Sequence, residues 1–204
     1  MNTTNYNTVW YGLDTLYISV KEGESRQQVI VLDHAIDKTT LTLSLDGRDA
    51  TLDCVIILLA DQVDIPLDII IRHTAPCTRS KIMVRSVARD HSRILINGTV
   101  QCLKGSDKSI AQFSHHALHL SDDVQTRTIP SLEIKAEDVN AKHAVSVGYF
   151  NQQAIWYGQT RGVTKSTIMT EMAKGFVVED LQALPTSVDI APALSTVASF
   201  MTVT

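Results

Sequence analysis

The feature that most constrains the fold of this chain is a rhythm. Short runs rich in β-branched residues recur at Val29–Leu32, Leu41–Leu45, Val55–Leu59, Leu67–Ile71, Ile82–Val87 and Arg93–Ile96, with centres about 13 residues apart. Further apolar stretches follow at Ala117–Leu120, Leu132–Ile134 and Ala144–Val147. The first six runs are each four to six residues long, the length of a strand rather than a helix. Evenly spaced short strands ordinarily suggest a sandwich of hairpins. Hairpin signals are scarce here: Asn97-Gly98 is the one strong two-residue turn dipeptide, and 9 glycines with 5 prolines in 204 residues fall below average use. A parallel β-helix meets these constraints, because its strands are joined by open bends and neighbouring coils pair in parallel. Two strands per coil give a repeat of about 26 residues. A β-sandwich is the alternative, since spacing alone does not set strand direction.

After Phe150 the period changes. Ile168, Met172 and Phe176 fall four apart, as do Met169, Ala173 and Val177, with Leu181 extending the face. This is the pattern of an amphipathic helix, with Thr164 as its N-cap and Pro185 as its stop. Gly175 inside it costs about 1 kcal/mol relative to alanine and is expected to mark close packing against a neighbour. Asp189–Met201 reads as a second, weaker helix and Gln152–Gln159 as a third. The expected organisation is a β region at 1–150 and a helical segment at 151–204.

Charge and composition exclude several function classes. Eighteen Lys+Arg against 22 Asp+Glu give a net charge of −4, and only 5% of residues are aromatic. A general nucleic-acid binder would lack both phosphate neutralisation and stacking platforms. The longest apolar run, Cys54–Ala60, is seven residues, against roughly 20 for a membrane span. The amino terminus, Met1 to Tyr6, has neither a basic nor an apolar leader region, so a cytoplasmic, reducing location is expected. Three cysteines at 54, 77 and 102, without a Cys-x-x-Cys pair, indicate neither a disulfide framework nor a zinc knuckle.

The candidate chemistry is sparse. His115, His116 and His119 cluster in Ser-His-His-Ala-Leu-His, which is not a zincin motif, because Ala117 stands where the glutamate would be needed. On a strand His115 and His119 share one face and His116 the other, and a structural role is favoured for them over a metal site. A 26-residue coil also stacks residues one repeat apart about 4.8 Å from each other. Cys77 and Cys102 are 25 apart, and His91, His116 and His143 are 25 and 27 apart, so either set is a candidate column of ligands for iron or zinc. Burial of cysteine as a small hydrophobe is the stronger reading. The acid pairs Asp122-Asp123 and Glu137-Asp138 read as solvated surface. No P-loop, dinucleotide fingerprint, nucleophile elbow or His-Glu-x-x-His is present.

Leu120 to Phe176 resembles the SufB/SufD family of iron–sulfur cluster assembly scaffolds. The stretch from Leu120 through Thr128-Ile-Pro-Ser-Leu-Glu-Ile134 is similar to the family's leucine-rich strand followed by Thr-x-Pro-x-Leu-Glu-Ile. Glu137-Asp-Val-Asn-Ala-Lys-His143-Ala-Val-Ser-Val-Gly148 resembles its Asp-Asp-Val-x-x-x-His-Gly-Ala-Thr-Val-Gly. Ala154-Ile-Trp-Tyr157, Arg161-Gly162 and Lys174-Gly175-Phe176 follow in the family's order, and a weaker similarity reaches upstream to Ile71–Ser80 and Ser92–Val100. The resemblance implies a right-handed parallel β-helix followed by a small helical segment that docks a SufC-like ATPase. It also implies a partner that is either a SufB-like subunit or a second copy of the chain, and a transient iron–sulfur cluster. His143 is the implied interface ligand, with Cys77 and Cys102 as secondary candidates. Arg161, Gly162, Gly175 and Phe176 are implied in partner docking or helix packing. Val124 stands where SufB-type subunits carry a cysteine, and Ala144 where SufB has a glutamate, so the chain is nearer to SufD. These residues imply a scaffold subunit without ATPase activity, or an interaction module of the same fold that no longer holds a cluster.

Overall fold

The computed structural model describes residues 3–7, 15–33, 38–184 and 188–202, with only the backbone for 3–7. Eleven strands precede three helices among these residues: β1 Thr3–Asn7, β2 Thr15–Val20, β3 Ser25–Leu32, β4 Thr39–Leu45, β5 Thr51–Asp61, β6 Asp64–His73, β7 Arg79–Arg89, β8 Arg93–Cys102, β9 Ser109–His119, β10 Gln125–Ile134 and β11 Val139–Tyr149, then α1 Gln152–Thr160, α2 Lys165–Leu181 and α3 Ala191–Thr202. Odd strands form one sheet, A, in the order β1-β3-β5-β7-β9-β11, and even strands form a second, B, in the order β10-β8-β6-β4-β2. All the ladders are parallel. The chain therefore alternates between two sheets as it climbs a β-helix of about five turns, not a sandwich of hairpins.

Each apolar run of the rhythm falls in a strand, and the strands extend beyond the runs because only their middles are densely apolar. Sheet B shows the half-buried alternation expected of a strand with one wet face, as in β6, where Ile65, Leu67, Ile69 and Ile71 point inward. Sheet A is different. Cys54–Ala60 of β5 is buried without a break, because one face looks into the lumen and the other packs under the helices. The lumen is filled by Ile30, Ile56, Val84, Leu43, Ile69 and their neighbours, while Val31, Ile57, Leu59 and Val87 on the outer face of sheet A meet Ala173, Val177, Leu181 and Val197. Each fully buried branched side chain contributes about 1.5–3 kcal/mol.

The coil length departs from a uniform 26. The register advances 25 residues from Thr15 to Thr40 and 26 from Ser25 to Thr51, but 28 from Thr51 to Arg79, 30 from Ser109 to Val139 and 32 from Arg93 to Gln125. The extra residues lie in the bends, where Asp49, Gln62, Cys77, Asp90, His91 and Lys108 adopt positive φ. This drift dissolves both ligand columns. Cys102 stands beside His73 and Ile134, His116 beside Arg85 and Ser146, and His143 beside Phe113, while Cys77 and His91 lie in bends.

Asn97-Gly98 is not a turn. It lies inside β8, with Asn97 Nδ2 donating to Asp68 Oδ1 at 2.7 Å on the outer face. Gly98 faces the lumen under Phe113, and a Cβ there would stand 2.5 Å from the ring's Cε1 and 2.6 Å from Cζ. Gly98→Ala is therefore expected to lower the urea midpoint, by about 1–3 kcal/mol of stability. Adding Phe113→Leu should recover part of the loss; a double variant no more stable than Gly98→Ala would contradict this cause.

The helices match the periodic reading. Thr164 caps α2, its Oγ1 accepting from the Thr167 N–H at 3.2 Å, and Asn151 caps α1. The expected stop at Pro185 lies outside the described residues. Gly175 departs from expectation: nothing lies within 4 Å of a Cβ built there, so it faces open space. The close approach belongs instead to Gly158 of α1, where a Cβ would meet Ile168 Cδ1 at 2.6 Å.

Candidate functional site

The β-helix is left open at its carboxyl-terminal end. β10 and β11 are the last strands of their sheets, so among the described residues each has one unpaired edge. The registers continue the lumen-facing rows onto them: Val100 to Leu132, Cys102 to Ile134, His115 to Val145, Ala117 to Val147 and His119 to Tyr149. With no next coil to cover them, those side chains stand in water, from 38% exposed at Leu132 to 60% at Tyr149. An unpaired ten- or eleven-residue edge beside an apolar row is a template for another strand.

His143 lies in the middle of that edge. It continues the lumen-facing row of Cys54, Ile82 and Phe113 and is exposed. A cleft of about 260 Å³ adjoins it, lined among others by Lys81, Gln112, Phe113 and Lys142.

The cysteines are placed elsewhere. Cys54 is fully buried, and desolvation pushes its thiol up to about 12. Cys102, buried at the end of β8, is also raised by desolvation, so both persist as thiols. Cys77 is half-buried in the β6–β7 bend at φ +61°, its N–H donating to the Asp107 carbonyl. Among the described residues no three His, Cys, Asp or Glu side chains stand close enough to hold a metal ion. Any metal at His143 would need further ligands from outside the described residues.

Other polar groups line the lumen. His73 is fully buried, with Nδ1 2.7 Å from Thr78 Oγ1 and Nε2 2.9 Å from Ser80 Oγ. His115 is likewise buried between Ser86 Oγ at 2.8 Å and Thr128 Oγ1 at 2.6 Å. Desolvation lowers both to about 4, helped at His115 by the neighbouring His116 and His119, so they sit neutral. His116 points to the opposite face, its Nδ1 2.6 Å from Ser146 Oγ.

The helical candidates separate into two places. On α1 Ile155 takes the buried position and leaves Trp156 67% and Tyr157 57% exposed. Arg161 lies 5.3 Å over the Tyr157 ring and donates to its hydroxyl at 3.2 Å. Gly162 closes the helix at φ +83°, a conformation that favours glycine. Gly175 faces open space, whereas the ring of Phe176 packs against Arg85 at 4.6 Å. Arg85, projecting from β7 and only 5% exposed, donates from Nε to Asp180 at 2.6 Å and from Nη2 to Glu179 at 3.1 Å, clamping α2 onto sheet A. Sequence reasoning missed this clamp. Its signals were an arginine inside an apolar strand and two acids in the last turn of a helix, where the dipole disfavours them.

A family model described as "SUF system FeS cluster assembly, SufBD core domain" matches residues 2–176. An iron–sulfur cluster assembly SufBD family protein of Mycobacterium tuberculosis is 32% identical over 113 residues, covering 55% of this chain and 13% of that protein. The iron–sulfur cluster assembly protein SufD of Bacillus subtilis is 27% identical over 150 residues, covering 74% of this chain and 34% of its own length. SufD of Escherichia coli is 25% identical over 114 residues, 56% of this chain and 27% of its length. The matched region thus spans about a third or less of these relatives. No helix among the described residues is long and apolar enough to cross a membrane.

Proposed function

The chain belongs to the SufBD family, and on that premise we propose that it is a non-ATPase scaffold subunit of SUF-type iron–sulfur cluster assembly. The observation that carries this reading is the open last coil, an unpaired apolar edge with His143 at its centre. Pairing there with a SufB-like β-helix, or with a second copy, would cover Val145, Val147 and Tyr149 and bring the partner's ligands to His143. A neutral imidazole is a competent iron ligand. The nascent cluster is cargo, held between subunits and passed on. Exposed Trp156 and Tyr157 beside Arg161 have the aromatic and arginine chemistry of binding hot spots and suit docking of a SufC-like ATPase. Gly175 offers an open helix surface for the same partner, whereas Phe176 serves helix packing.

The test is anaerobic reconstitution with iron and sulfide, alone and with a SufC-like ATPase and a longer SufB-like chain. Charge-transfer absorption and stoichiometric iron are expected in the paired state, with His143→Ala losing most of both. Absence of stoichiometric iron in every combination would sink the scaffold reading. It would favour an interaction module that has kept the fold and lost the cluster, a reading supported by Val124, Ala144 and the two deeply buried thiols.

A further inference from the structure

The last coil is tied across its lumen by histidine rather than by hydrocarbon. His115 and His119 project inward from β9 of sheet A, and their partners Thr128 and Thr126 project inward from β10 of sheet B. The contacts are 2.6 Å from His115 Nδ1 to Thr128 Oγ1 and 2.9 Å from His119 Nε2 to Thr126 Oγ1. β10 has lateral pairing on one side only, to β8, and most of its side chains are exposed or half-buried. His119 is 6% exposed, stands edge-on to Tyr149 at 5.4 Å, and its buried Nδ1 has no hydrogen-bond partner.

We infer that the two cross-lumen histidine–threonine contacts form an acid-sensitive latch, and that releasing it lets β10 open as a unit while the earlier coils stay closed. The opening is a property of the chain itself. Its consequence, loss of the pairing face, rests on the reading above.

The chemistry of the lumen makes the latch depend on neutral imidazole. An imidazolium carries two N–H donors. At His115 both would still meet hydroxyl oxygens, but the charge would sit in a site sealed from water. At His119 the Nδ1–H would have no acceptor, a buried unsatisfied donor that opening would hydrate. Among the described residues no carboxylate or guanidinium lies on the inner faces of β7, β9, β10 and β11, and Arg93 and Arg127 line the cleft beside His119, where their charge adds to the cost of an imidazolium. His116 and His119 neighbour His115 on β9, β11 brings His143 and Tyr149 to the inner side, and from β7 and β10 the hydroxyls of Ser86, Thr126 and Thr128 meet the two imidazoles. Arg85 of β7 and Arg127 of β10 alternate to the outer faces. Desolvation accordingly lowers His119 as well as His115. One coil earlier His73 bonds Thr78 and Ser80 and does not touch β10, so its protonation is coupled to opening of the earlier coils rather than of β10.

Hydrogen exchange on the purified full chain at pH 7.5 and 5.5, corrected for the intrinsic pH dependence of amide exchange, tests the latch. Amides of β10 are expected to open about tenfold or more at pH 5.5, since each histidine neutral when closed and free when open contributes up to about tenfold per pH unit below 6.5. Amides of β4 and β6 exchange through global unfolding, which also frees His73, so they are expected to accelerate as well but to stay at least about tenfold better protected than those of β10 at pH 5.5. His119→Gln, and the double variant with His115→Gln, keep amide donors and acceptors without titrating and should flatten the response of β10. The latch is overturned if β10 does not respond to acid, if β10 stays as protected as β4 and β6 at pH 5.5, or if the glutamine variants keep the full response of β10. Opening at pH 5.5 without any loss of pairing would support the latch and count against the pairing reading instead.

Discussion

Arg85→Met is expected to cost about 3–5 kcal/mol and to release the helical segment, because it removes one partner of a largely buried ion pair. Arg85 has a side chain 7% exposed and Asp180 one 15% exposed, at 2.6 Å. Without the guanidinium, the Asp180 carboxylate is left against an apolar sheet face and the Phe176 ring loses its cation. Glu179 is a minor contributor, since its side chain is 73% exposed and its contact is screened by water. The informative comparison is the double replacement Arg85→Met with Asp180→Leu, which removes both charges and should be milder than Arg85→Met alone. Urea unfolding measures the stabilities, and limited proteolysis reports whether 151–204 is released. A double variant as unstable as the single one would show that packing of the arginine stem, rather than the pair, holds α2.

How far the fold is legible in the sequence depends on what each residue has to satisfy. Strand positions are legible because Val29–Leu32 or Val55–Leu59 must bury branched side chains at strand length, and the helix is legible because Ala173, Val177 and Leu181 recur on one face. Coil length is not, because the bends absorb a variable number of residues at positive φ, and the period of Thr15 to Thr40 does not persist to Arg93 and Gln125. The ligand columns drawn from a uniform 26-residue coil fail for that reason alone. Gly98 misleads because a glycine that yields space to Phe113 looks the same in sequence as one that turns the chain, and Gly175 misleads in the opposite sense. At the candidate site the resemblance singled out His143, but its place on an uncovered lumen-facing row follows from β11 being the last strand of sheet A, a topological fact that no local pattern carries. The buried polar lumen was half visible: His115 and His119 share a face as alternation requires, whereas their hydroxyl partners sit on other strands, β7 and β10, that only the coiling of the chain brings opposite them.

His73 sets the second large effect, a loss of stability on mild acidification. It is held at about 4 by burial, against about 6.5 for an unperturbed histidine in the unfolded chain. The folded-state value is the lower one, so below pH 6.5 the unfolded state binds a proton that the folded state refuses. Stability is therefore complete above pH 6.5, falls as pH drops from 6.5 towards 4, and levels off below the folded value. A difference of about 2.5 units corresponds to about 3 kcal/mol, a large share of the 5–15 kcal/mol typical of a domain. Carboxylates act in a separate window. Burial pulls Asp46 upward, but hydrogen bonds from Ser19, Ser44 and Thr74 outweigh it and hold the group below its ordinary 3.8, so its contribution is lost only at more acid pH. His73→Gln retains a group able to bond Thr78 or Ser80 and does not titrate. It is expected to be less stable than the parent at pH 7.5 and to lose less further stability at pH 4.5. Urea midpoints of the two proteins at both pH values decide this; parallel losses would assign the acid sensitivity to groups other than His73.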